Sequence, residues 1–195
     1  MTIDQALTLD DHVVQTCRSC YFALFNLRRI RPCLDVRTCT MAVQALVISR
    51  LDQRNALLVG ATNKNFKMLQ RVQNMAARTI FNLRKNDHIS NSIRSLHWLP
   101  VEKRVISKVL FLTWKCLHGL APQYLRSLLS IRESSHNTRS SQSLTLSVPR
   151  TELVTFGDRA FSNAAPRLWN ALPASIRDIQ NISVFKKSLK THLFN

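Results

Sequence analysis

Residues 10–32 read DDHVVQTCRSCYFALFNLRRIRP, and this stretch decides the fold class. Val13, Val14, Cys17, Cys20, Tyr21, Leu24 and Leu27 recur at steps of three and four, the spacing that gathers one face of an α-helix. Asp10 and Asp11 stand where an N-cap is expected. Arg28, Arg29 and Arg31 crowd the final turn, where cations suit the carbonyl end of the helix dipole, and Pro32 stops the helix.

The pattern persists downstream. A second helix is expected from Asp35 through Met41, Ala42, Leu46, Val47 and Ile48 towards Leu58, with Gly60 as its C-terminal cap. Asn63 or Asn65 opens a third, whose apolar face carries Phe66, Leu69, Val72, Ala76, Ile80 and Phe81 while Lys64, Lys67, Arg71 and Arg78 face outward. Pro100 suits a helix start because its missing amide donor costs nothing there. The helix expected over 101–118 is apolar around most of its circumference, with Val105, Ile106, Val109, Leu110, Phe111, Leu112, Trp114 and Leu117, so it reads as buried on several sides.

Pro122 starts a short helix through Tyr124, Leu125, Leu128 and Leu129. Residues 132–143 turn to Ser, Asn, Thr, Arg and His, a polar linker that places one region at 1–131 and a smaller one at 144–195. Leu144, Leu146 and Val148 alternate as a short strand, paired as a hairpin with residues 153–156. Phe161, Ala164, Ala165, Leu168 and Trp169 predict a helix with Pro166 in its first turn or kinking it. Ser183 is expected to cap a last helix with Val184, Phe185, Leu189 and Leu193 inside and Lys186, Lys187 and Lys190 outside.

The fold class is therefore mainly α: a helical bundle followed by a small helical subdomain with a short β-hairpin. Composition agrees, because 195 residues at 45% hydrophobic content can bury a core and only three glycines leave few positive-φ turns for a many-stranded sheet protein. Lys+Arg 28 against Asp+Glu 11 gives a net charge of +17, which draws polyanions and makes nucleic acid the first partner to consider. No apolar stretch has the length of a bilayer span, and residues 1–20 carry acids rather than a basic leader, so an intracellular protein, nuclear or cytoplasmic, without a membrane partner is expected.

Chemistry is sparse. Leu9-Asp10-Asp11-His12 superficially resembles the Asp-Asp box of a polymerase, but a 3.6-residue pattern follows at once, so it reads as a helix cap. Cys17, Cys20, Cys33 and Cys39 imitate a zinc spacing; Cys17 and Cys20 fall on the apolar stripe, and the five cysteines read as reduced thiols rather than ligands. Six scattered histidines lack the paired spacing of a metalloenzyme, and no nucleophile elbow or phosphate-cradling glycine loop is present. No catalytic residue, metal site or cofactor is expected. His97-Trp98 has the composition of a base-stacking surface, yet Trp98 lies between Leu96 and Leu99 and reads first as a core anchor. The basic groups Arg28, Arg29 and Arg31, then Lys64, Lys67, Arg71 and Arg78, then Lys103, Arg104 and Lys108 are the candidate phosphate contacts.

Five ordered phrases add a resemblance: Arg50-Leu51-Asp52; Leu69-Gln70-Arg71-Val72-Gln73-Asn74; Ser95-Leu96-His97-Trp98-Leu99-Pro100-Val101-Glu102-Lys103-Arg104; Gly157-Asp158-Arg159-Ala160-Phe161-Ser162; and Ala164-Ala165-Pro166-Arg167-Leu168-Trp169-Asn170 with Leu172-Pro173. Together they resemble the post-palm tail of non-LTR (LINE-type) retrotransposon reverse transcriptases of the jockey-like clade, over nearly the whole chain. The resemblance implies a thumb that grips RNA or an RNA–DNA hybrid by its backbone and packs on the palm of a parent RNA-directed DNA polymerase. Its Tyr-Ala-Asp-Asp box lies upstream in that family. Two other readings stay open: a free-standing helical protein-interaction module, with its contact surface on the 101–118 helix and the apolar stripes, and a non-functional relic.

Overall fold

The computed structural model describes residues 8–132, 144–151 and 157–194 and is mainly helical. The chain divides into two compact units, Met1–Arg104 and Val105–Asn195. That division falls one turn into a helix: Trp114 contacts Ile179 and Phe185, so the bulk of its helix belongs with the C-terminal residues. Residues 133–143, most of the expected linker, and 153–156, one arm of the expected hairpin, lie outside the described residues.

In the first unit α1 (Asp10–Ile30) buries Val13, Cys17, Cys20, Ala23, Leu24 and Leu27. Val14 and Tyr21, expected on that stripe, are partly or largely exposed at its margin. Neither aspartate caps the helix: Leu9 holds the N-cap position in left-handed conformation, and both acids sit in the first turn, where carboxylates suit the dipole. Asp10 instead reaches across to α4 (Asn63–Phe81), accepting from Asn65 Nδ2 at 2.7 Å. A 3-10 turn, Arg31–Cys33, ends α1 at Pro32 as expected.

Asp35 caps α2 (Val36–Val43), accepting from the amides of Arg37 and Thr38. The expected long second helix is interrupted. A π turn at Gln44–Ile48 leads into α3 (Ser49–Asp52), and the chain leaves the helix at Gln53. Buried Cys39, Val43, Val47 and Leu51 are four residues apart; at 100° per residue an α-helix would swing each step about 40° off the face, and the wider π turn corrects that drift. Met41 and Leu46, off this face, are exposed. Arg54 takes a positive φ before a 3-10 turn, Asn55–Leu58, and Gly60 follows at φ 70.

Thr62 is the N-cap of α4, its hydroxyl accepting from the Asn65 amide at 3.3 Å, and Asn82 closes the helix in left-handed conformation. The buried face of α4 holds Leu69, Val72, Ala76, Ala77 and Ile80 together with polar Gln73. α1 and α4 run parallel: Asp10 meets Asn65 at their starts, and Arg31 meets the carbonyls of Thr79 and Ile80 at their ends.

After α5 (Ser90–Ser95), Trp98 and Leu99 are buried at 4% and 6% exposure, and Pro100 precedes α6 (Val101–Leu117). Three of the motif phrases meet there. Gln73 Nε2 donates to Leu99 O at 2.8 Å, the Val101 amide donates to Gln70 Oε1 at 2.9 Å, and Arg104 forks onto the Asp52 carboxylate with Nε to Oδ1 at 2.8 Å.

In the second unit, α7 (Gln123–Arg126) precedes an antiparallel bridge between Ile131 and Leu146. The segment around Leu146 thus has a partner upstream. Asn170 grips Leu146 from the other side, accepting from its amide and donating to its carbonyl at 2.9 and 2.8 Å. α8 (Phe161–Asn170) carries Pro166 in its interior, beyond the first turn, where the backbone forgoes one donor. Thr151, Arg167 and Asn163 all donate to Asp158, holding its carboxyl below the usual carboxylate range. α9 (Ala174–Arg177) leads to α10 (Ile182–Phe194), which is capped by Asn181 rather than Ser183: Asn181 Oδ1 accepts from the amides of Ser183 and Val184. Val184 is exposed, while Phe185 packs with Trp114 and Trp169 at ring separations of 5.6 and 6.0 Å.

Arg31→Ala is expected to destabilise the first unit by about 2 kcal/mol, the scale of a charged hydrogen-bond donor lost from buried acceptors. Arg31→Lys should recover only part, because a single ammonium lacks the fork that spans several carbonyls. Urea unfolding of both variants measures this; an unchanged midpoint for Arg31→Ala would refute the assigned role.

Candidate nucleic-acid interface

On α4 the expected cations form one line. At 100° per residue Lys64, Lys67, Arg71 and Arg78 fall within about 60° of one another, over about 21 Å of helix at 1.5 Å per residue. Lys64, Lys67 and Arg71 are exposed and hold no salt bridge among the described residues. No Asp or Glu occurs from Gln53 to Asn86, so nothing on this helix cancels its field. Arg78 differs, being half-buried with Nη2 3.4 Å from the Asp87 carbonyl.

The cations at the end of α1 separate in the same way. Arg28 and Arg29 are exposed. Arg31 turns inward, donating from Nε to Thr79 O at 3.1 Å, from Nη2 to Ile80 O at 2.8 Å, and from Nη1 to Leu34 O. It satisfies carbonyls that the end of α4 leaves without amide partners, which removes it from the surface set. On α6 Lys103 and Lys108 are exposed, whereas Arg104 is committed to Asp52. Lys108 belongs to the second unit, apart from the α1 and α4 groups of the first.

Residues outside the expected cation groups complete the surface: Arg18, Phe22 and Phe25 join Arg29 along the exposed crest of α1, with Phe22 at 68% and Phe25 at 61% exposure. Their spacing of four, three and four residues was visible in the sequence, but it sits opposite the apolar stripe and so escaped a reading built on that stripe. Tyr21, on the flank of this crest, lies close enough to Arg71 for the cation to favour its phenolate, although burial and nearby Cys17 outweigh this and raise the phenol. In the second unit the Phe111 ring has Lys115 Nζ 5.0 Å and Lys186 Nζ 4.6 Å from its centroid, two like charges on one aromatic ring.

Other candidates resolve into architecture. Trp98 is buried and offers no open face for stacking. On α6 Val105, Val109, Leu110 and Trp114 are buried and Ile106, Phe111, Leu112 and Leu117 are half-buried, so much of its apolar surface is spent on the core. Cys17, Cys20, Cys39 and Cys116 are buried and Cys33 is exposed; among the described residues no three His, Cys, Asp or Glu side chains are placed to hold a metal ion. No described helix is long and apolar enough to cross a membrane. Compared with known proteins, the chain matches no family model, no curated protein and no solved structure.

Burial raises the thiols of Cys17 and Cys20 from 9.0 to about 11. The folded chain therefore keeps protons that the unfolded chain releases, and stability should fall as pH climbs through this interval. The fall is expected to be shallower in Cys17→Ala/Cys20→Ala, read by urea unfolding at successive pH values. Alkylation of the native protein near pH 8 should reach Cys33 first, with the four buried thiols reacting only after unfolding; rapid labelling of Cys17 would contradict their placement.

Proposed function

We propose that this chain is the non-catalytic thumb and tail region of a LINE-type reverse transcriptase and that it holds RNA or an RNA–DNA hybrid by the phosphate backbone. The observation that carries the proposal is the acid-free line Lys64, Lys67 and Arg71 on a helix whose opposite face is buried. Such a line meets a polyanion without having to break internal salt bridges, and each ammonium or guanidinium that neutralises a phosphate releases condensed counterions. Phosphate contacts fix position and carry no sequence information, so binding should be nearly indifferent to sequence.

The motif phrases support the same reading from another side. Asp52, Gln70, Gln73 and Arg104 lie in three of them and join one another or the backbone around Pro100. They hold a scaffold, which is the role expected of a thumb whose parent enzyme keeps its metal-binding carboxylates in the palm. In this reading the palm of the parent polymerase is the protein partner and the chain contributes grip but no chemistry.

Fluorescence anisotropy with labelled RNA and RNA–DNA hybrid, titrated between about 50 and 200 mM salt, tests the proposal. Affinity should drop steeply with salt and change little between sequences. Lys67→Glu/Arg71→Glu should lower affinity and reduce the log–log salt slope by about 2, one unit for each lost phosphate contact. Affinity indifferent to salt would sink it.

A further inference from the structure

Phe22 and Phe25 are two large apolar rings, 68% and 61% exposed, on a helix that already buries a complete apolar face. They are not isolated. Arg18 stands four residues before Phe22 and Arg29 four residues after Phe25, so each ring has a guanidinium one helical turn away. The two rings are themselves three residues apart, with Cβ atoms about 5–6 Å from each other. From His12 to Leu34 the chain contains no Asp or Glu, and α4, which runs parallel to α1 with Arg71 close to Tyr21, brings its cationic line alongside.

An exposed aromatic pair whose charged helix neighbours are all cations suits one class of ligand best. Base faces stack on aromatic rings whatever the base, and the adjoining phosphates are met by arginine and lysine. A duplex keeps its base faces stacked internally and cannot offer them. We infer that the crest Arg18, Phe22, Phe25 and Arg29 is a stacking platform for unpaired nucleotides, giving this chain a preference for single strands over duplex. The inference rests on the backbone-binding reading and adds to it: α4 takes phosphates, and the crest of α1 takes bases.

The test uses the full chain, an unstructured single-stranded RNA and a duplex RNA of equal length, with anisotropy as the readout. Phe22→Ser/Phe25→Ser removes the rings at exposed positions; circular dichroism melting verifies its fold. It should bind the single strand at least about 10-fold more weakly, bind duplex as the parent does, and keep the parent's salt slope. Phe22→Trp/Phe25→Trp should retain single-strand binding, and its added indole emission should be quenched by the single strand and not by duplex.

Equal single-strand affinity of the parent and the serine variant overturns the platform. So does an absence of quenching in the tryptophan variant, which decides the matter even where the serine variant misfolds. If Lys67→Glu/Arg71→Glu still weakens binding in either case, the backbone-binding reading survives alone; if the parent binds neither RNA in a salt-dependent way, that reading has failed first. Self-association of the parent in sedimentation velocity, lost in the serine variant, would assign the crest to a second copy and also overturn the proposal.

Discussion

The first unit depends on a constraint that parallel helices impose. α1 and α4 point the same way, so their amide ends lie at one end and their carbonyl ends at the other, and like partial charges gather at each. Antiparallel neighbours would cancel these poles. Here side chains must do it: Asp10 and Asp11 stand at the amide end, and Arg28, Arg29 and Arg31 stand at the carbonyl end. Arg31 does so directly by donating to carbonyls of α4. α1 and α4 are also neighbours, and Tyr21 on the flank of the α1 crest feels the charge of Arg71 on the α4 line.

The motif phrases gain a physical meaning from these contacts. Their conspicuous residues are those whose polar atoms hold backbone at the edges of helices, where the regular ladder fails. Gln73 and Gln70 bracket Pro100 from one helix, and Asp52 ties α3 to the first turn of α6 through Arg104. In the second unit Trp169 Nε1 donates to Leu144 O, Trp114 Nε1 to Ile179 O, and Asn170 serves both groups of Leu146. Trp169 both fills a core and anchors a carbonyl distant in sequence, which gives the phrase that contains it a structural reason.

Much of the fold was legible because it is local. The apolar stripes of α1, α4 and α10 follow a 3.6-residue period, and Pro32, Pro100 and Pro122 mark boundaries where the backbone changes course. Other features were set by partners far away in sequence. Asp52, the last residue of α3, meets Arg104, and Leu146 pairs with Ile131 and Asn170. The cap of α10 failed for a smaller reason, since Asn181 and Ser183 are both good caps two residues apart and only backbone conformation chooses between them.

The candidate interface was legible as a set of charges but not as a surface. Arg31, Arg104 and Arg78 looked no different from Lys64 or Lys67 in the sequence, because the acceptors that tether them come from other segments. Each candidate cation tethered to a carbonyl or carboxylate is a guanidinium, planar and multiply donating: Arg31, Arg78 and Arg104. Arg28, Arg29 and Arg71 stayed in solvent with the compact, strongly hydrated ammonium groups of Lys64, Lys67, Lys103 and Lys108. A net charge of +17 therefore overstates what is free to meet a ligand. Among the cations that stay in solvent, the line on α4 and the crest on α1 stand out, the first for its freedom from acids and the second because two arginines flank two exposed phenylalanines; on the proposed reading that pair of rings is what would separate stacking on unpaired bases from attraction to phosphate alone.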